Sequence, residues 1–99
     1  MITALVMINA ARHTVPETAQ ALLRIEGVRE VYSVTGEYDL VAIVSTPVYE
    51  ELAALVTSRI TAVRTITGTH TLMAFQCYSN TDMERMWDIG TEDDAAPAF

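Results

Sequence analysis

From Ile2 to Ala10 apolar residues fill both alternating positions, with Ile2, Ala4, Val6 and Ile8 on one face and Leu5 and Met7 on the other. That pattern predicts a strand covered on both sides. Thr14-Val15-Pro16-Glu17 reads as a Thr-x-x-Glu capping box with proline at an early helical position. Ala19, Leu22 and Leu23 then give a helix one apolar face, and Gly27 ends it. Residues 28–35 and 38–45 are rich in β-branched and aromatic side chains, which predicts a hairpin turning at Thr35-Gly36-Glu37. Thr46-Pro47 opens a second helix, whose Val48, Leu52, Leu55, Val56, Ile60 and Val63 recur at steps of three and four. Residues 66–78 form a last strand, with Thr69, Thr71, Met73 and Phe75 on one side and Leu72 and Ala74 on the other.

The order βαββαβ predicts an α+β, ferredoxin-like sandwich, because right-handed crossovers place both helices on one face of the sheet. The other face is left bare while the first and last strands are apolar on both sides. The simplest cover is the same face of a second copy, so a dimer is expected. The domain is expected over residues 1–81. Met83, Met86 and Trp87 suggest a short helix at 82–90, and 91–99 an acidic, solvated tail.

Composition sharpens this picture. A chain of 99 residues holds one domain, and 51% hydrophobic content is more apolar surface than one small core hides. Mean hydropathy is +0.24. Six arginines and no lysine stand against thirteen acids, for a formal charge of −7, so no basic surface is available for nucleic acid. The missing lysine also excludes Schiff-base chemistry and a Walker-type phosphate site. Cys77 alone makes no intrachain disulfide, which fits a reducing compartment. The apolar N-terminal stretch is too short to cross a bilayer and has no basic flank, so a cytoplasmic protein without membrane contact is expected.

Catalytic signatures are weak. His13 and His70 lack the spacing of a metal site, and Cys77, Ser79 and Asp82 form no supported triad. The turn Gly36-Glu37-Tyr38-Asp39 is the informative stretch: exposed backbone N–H groups suit a carboxylate and the aspartate suits an ammonium group, a pairing that fits an amino acid. The alternative is that Gly36 only supplies a positive φ and Asp39 is a solvated turn residue.

Gly27-Val28, the run from Val31 through Thr35-Gly36-Glu37-Tyr38-Asp39-Leu40, and Thr69-His70-Thr71 together resemble the effector domain of the Lrp/AsnC (feast/famine) regulators. The ending Ala74-Phe75-Gln76-Cys77-Tyr78-Ser79-Asn80-Thr81-Asp82-Met83-Glu84 is similar to stand-alone actinobacterial versions. The pattern departs at Arg64-Thr65, where Pro-Gly is common, and at Gln76 and Asn80, where a basic residue is common. The resemblance implies a sheet-paired homodimer assembling further, for example into an octamer, with an amino acid effector bound between dimers. It places Gly36, Glu37, Tyr38 and Asp39 in the ligand loop and Thr69 and Thr71 as hydroxyl donors, with no cofactor and no metal. It also implies action without a helix-turn-helix of its own, through assembly or through full-length Lrp/AsnC regulators as partners. Two alternatives stand beside it: a small dimeric monooxygenase-like enzyme of the same architecture, using His70 or Tyr32 in a pocket between sheet and helices, and an inert assembly partner.

Overall fold

The structure is a computed structural model that describes residues 1–80. The chain runs β1 (Ile2–Ala10), α1 (Val15–Leu23), β2 (Val28–Ser33), β3 (Leu40–Thr46), α2 (Tyr49–Ala54), a π-helical continuation (Leu55–Ile60) and β4 (Ile66–Ala74). The four strands form one antiparallel sheet in the order β2-β3-β1-β4. This is the βαββαβ, ferredoxin-like arrangement that the hydrophobic pattern predicts. The short helix expected at 82–90, the tail at 91–99 and the domain boundary at 81 lie outside the described residues.

Register explains the core. Ala4, Val6 and Ile8 of β1 stand opposite Val44, Ala42 and Leu40 of β3, and all six are buried. Leu22 of α1 and Ile25 just after it cover them, together with Leu52, Leu55 and Ile60 of the second helix and its π-helical continuation. Burying each of the larger aliphatic side chains contributes about 1.5–3 kcal/mol. The alternate residues point the other way: Leu5 lies between Ile43 and Leu72, and Met7 between Val41 and His70. Among the described residues β1 is therefore covered on one face, and the other carries a half-buried apolar stripe.

Several local expectations are corrected. Thr14 makes no side-chain cap; its hydroxyl donates to the Ala11 carbonyl at 2.6 Å instead, so the capping box does not form. Thr18 rather than Leu23 completes the buried face of α1: Thr18 is fully buried and Leu23 is 48% exposed. A threonine is tolerated there because its hydroxyl bonds the Thr14 carbonyl at 2.7 Å and the Thr65 hydroxyl. Thr65 also accepts the Ala11 N–H through its carbonyl at 2.7 Å. Arg64-Thr65 thus ties the connection into β4 to the start of α1 without a Pro-Gly pair.

The second helix starts at Tyr49, not at Thr46-Pro47, and Thr46 spends its hydroxyl on the Val48 carbonyl at 2.8 Å. From Leu55 it widens to π geometry, which keeps Leu55 and Ile60, five residues apart, on the buried side. The predicted last strand is shorter than 66–78, because β1 runs out as partner at the Thr3–Ala74 pair and the ladder ends there. The hairpin is also wider than a tight turn: Tyr38 and Asp39 leave the strand, and residues 34–39 form a loop.

Gly27 is required twice over. Its φ is +102°, and a Cβ placed on it would lie 2.5 Å from Leu55 Cδ1, a buried side chain. Gly36 shares the positive φ, at +110°, but faces open space. Gly27→Ala is expected to cost about 2–4 kcal/mol and Gly36→Ala about 1 kcal/mol, measured by urea denaturation at one fixed protein concentration. Equal losses would remove the role of the Leu55 contact.

Candidate functional site

The loop 34–39 is fastened at its second half. Val34 N–H donates to the Asp39 carbonyl at 3.1 Å and Asp39 N–H to the Ile8 carbonyl at 2.9 Å. The Asp39 side chain reaches past the end of β3 and accepts the Ala10 N–H on Oδ2 at 2.9 Å. One carboxylate oxygen is thus committed to holding the loop against β1, so Asp39 is more than a solvated turn residue. Tyr38 is anchored as well: its ring lies nearly parallel to that of His70, with centroids 6.4 Å apart and an interplanar angle of 19°. Gly36 and Glu37 remain exposed at the tip.

Thr69 and Thr71 come to the same side of the molecule by pairing. Ile8 stands between Leu40 and Thr69, and Val6 between Ala42 and Thr71. Those partners put both threonines on the helix-covered face, whereas His70 and the Tyr38 ring lie over the open face. Strand alternation therefore separates the six predicted residues: the loop is gathered at one end of β1, and the two hydroxyls sit on the reverse side. His70, a weak candidate for metal binding or catalysis by sequence, instead lies beside the Tyr38 ring.

Two concave surfaces lie elsewhere. A cleft of about 660 Å³ opens at the opposite end of the sheet, against Gly27, Arg29, Thr46, Leu55 and Arg59. A smaller depression of about 340 Å³ on the open face is lined by Arg29, Glu30, Ile43 and Ser45. Neither is lined by a residue of the loop 34–39, by Thr69 or by Thr71. Beside the smaller depression, the exposed Tyr32 hydroxyl donates to Glu30 at 2.8 Å. That hydrogen bond, and then the nearby negative charge, push the Tyr32 phenol above its ordinary value of 10.0.

Cys77 is a free, exposed thiol. Among the described residues no group of three His, Cys, Asp or Glu side chains is arranged to hold a metal ion, and no helix is long and apolar enough to cross a membrane.

Residues 3–83 match the sequence profile of the Lrp/AsnC ligand binding domain. Among solved structures, TTHA0845 from Thermus thermophilus is 43% identical, with a TM-score of 0.74 over 80% of this chain and 99% of that one. FFRP-DM1 is 33% identical, with a TM-score of 0.73 over 76% of this chain and 100% of that one. The leucine response regulatory protein LrpA of Mycobacterium tuberculosis is 25% identical, with a TM-score of 0.66 over 79% of this chain and 53% of that one. No curated protein matches significantly.

The neutral Tyr32 phenol is the donor to Glu30, so its bond supports the fold at pH below the ordinary tyrosine value and is lost as pH rises through the raised one. Glu30→Gln is expected to return the Tyr32 titration toward 10.0, read by ultraviolet absorbance. An unchanged titration would remove Glu30 as the cause.

Proposed function

The chain belongs to the Lrp/AsnC ligand-binding domain family, and on that premise we propose that it is an oligomeric regulatory domain whose assembly responds to an α-amino acid. The observation that carries this reading is the loop 34–39. It is fixed to β1 through Asp39 and to β4 through Tyr38, yet it presents Gly36 and Glu37 to open space. A tip held in place without a wall opposite it suits a site completed by a neighbouring subunit. Backbone N–H groups of the tip take the ligand carboxylate, and the remaining Asp39 oxygen takes the ammonium group. Thr69 and Thr71, on the reverse face, contribute only if the neighbour's wall comes from that side.

Dimerisation through the sheet follows from the stripe Leu5, Met7, Val41, Ile43 and Leu72, which helices leave uncovered. A second copy placed face to face buries it by the same hydrophobic effect that drives folding. Such dimers then assemble into a higher oligomer, an octamer being the closed form expected. For regulation the ligand must prefer one assembly state, since equal affinity for two states shifts nothing. The name of the mycobacterial relative, a leucine response protein, supports the ligand class. With a net charge of −7 the chain itself gives DNA no basic surface, so the signal passes through assembly or through partner regulators in the cytoplasm.

The enzyme reading is the less favoured one for a specific reason. It needs His70 or Tyr32 between the sheet and its helices, and the pairs Met7–His70 and Val41–Tyr32 put both on the opposite face.

Thermal unfolding against each of the twenty amino acids at millimolar concentration tests the ligand. A true effector at about one hundred times its dissociation constant adds about 2.7 kcal/mol, a shift of several degrees. Asp39→Asn, which keeps an acceptor for Ala10 N–H, is expected to fold and to lose that shift; retained binding would end the role of its charge. For the dimer, light scattering is expected to give at least twice the 10.9 kDa chain mass, with Ile43→Glu shifting the mass toward the monomer. Wild-type protein that stays monomeric would overturn the sheet-face dimer.

A further inference from the structure

Pairing in register draws rows of side chains across the open face of the sheet. One row runs Tyr32, Val41, Met7 and His70, and the next Glu30, Ile43, Leu5 and Leu72. The β2 edge therefore carries Glu30 and Tyr32, the β4 edge carries His70, and the two central strands supply only aliphatic side chains and Met7 to these rows. The two edges are opposite in chemistry. On β2, Glu30 is an exposed carboxylate that accepts the Tyr32 hydroxyl at 2.8 Å and shares the shallow depression with Arg29. On β4, His70 is exposed, with the Tyr38 ring at 6.4 Å between centroids and Met7 as its strand neighbour. Of the two acids in the loop 34–39, Asp39 is engaged by the Ala10 N–H and Glu37 stands at the exposed tip. Among the described residues, none makes a hydrogen bond or ion pair to the His70 imidazole.

A second copy on this face, the reading on which the inference rests, meets these edges in one of two ways. Aligned sheets keep their strands within about 30° of each other, so the two-fold axis of a face-to-face pair runs either across the strands or along them. An axis across the strands lays β2 on the partner's β2 and sets carboxylate beside carboxylate. An axis along the strands lays β2 on the partner's β4 and brings Glu30 to the edge that carries the partner's His70. Between chains that each carry a net charge of −7, the arrangement that sets an acid against an imidazole is the favoured one. We infer that Glu30 and His70 form a reciprocal pair between subunits, made twice by symmetry at the two edges of the apolar stripe, and that this pair makes association sensitive to pH. Histidine is the side chain whose charge changes between about pH 5 and 8, and its charged form attracts a carboxylate. The contribution of the pair is thus present while the imidazole is protonated and is lost as pH rises. Arg29 keeps its charge over that range and adds no pH dependence of its own. The Tyr32 phenol, raised by Glu30, stays neutral there and continues to hold the carboxylate.

Sedimentation equilibrium of the full chain at about pH 6 and about pH 8, at one ionic strength, tests the pair. The dimer is expected to be about tenfold tighter at the lower pH, since two exposed ion pairs each contribute a few-fold. His70→Asn and Glu30→Gln are each expected to dimerise with the same constant at both pH values. His13→Asn, in the turn before α1, is expected to keep the tenfold difference. Exchanging the two groups, Glu30→His together with His70→Glu, is expected to restore it. A wild-type constant that does not move with pH, one that still moves in His70→Asn, or an exchanged pair without pH dependence would overturn the inference and leave the sheet-face dimer standing. A chain that is monomeric at both pH values would remove the dimer and the pair together.

Discussion

Everything in this domain depends on β1, which, like β3, is hydrogen-bonded along both edges and packed on one face. Its Ala4, Val6 and Ile8 are fully buried and join the helical layer to β3. Its Leu5 and Met7 occupy the centre of the other face, where no described element of the same chain reaches them. The described residues form two layers, one of sheet and one of helices. The single-chain fold is thus stable only to the extent that one face is covered, and the uncovered stripe is the physical reason for expecting a second copy.

The connections are arranged to bring the ends of β1 under control. At its C-terminal end Ala10 N–H goes to Asp39 and Ala11 N–H to the Thr65 carbonyl, so the loop 34–39 and the entry to β4 are both tied to one short stretch. His13, just beyond, adopts φ 65° to turn the chain into α1. Thr18 carries the tie into the core through its hydroxyl bonds to Thr14 and Thr65. Satisfied threonines fill the places that a capping box and a Pro-Gly turn would otherwise take. At the other end, Ser45 N–H bonds the Gly27 carbonyl at 2.9 Å, which closes the edge of the cleft.

The two ends of the sheet differ in kind. The loop end offers a backbone tip held through Asp39, with Gly36 and Glu37 exposed. The cleft end offers walls from three elements and charged groups of both signs within one chain. Arg29 and Ser45 border both the cleft and the depression on the open sheet.

Local patterning was enough to specify the order of elements, the alternation of faces along β1 and β4, and the positive φ at Gly36. These follow from periodicity and from glycine's backbone freedom, which act over a few neighbouring residues. The alternation that puts Thr69 and Thr71 on one side of β4, and Leu72 on the other, holds through to the final register. The features that emerge only on folding involve partners distant along the chain. Thr18 enters the core because Thr65 meets it, Asp39 serves as an anchor because Ala10 N–H lies within reach, and His70 gains a role because Tyr38 stacks on it. The bulge at Arg29 and the π turn before Arg59 belong to this class too. Neither leaves a mark in hydrophobic spacing, since each is a one-residue adjustment that lets a strand and a helix already specified locally meet across Gly27.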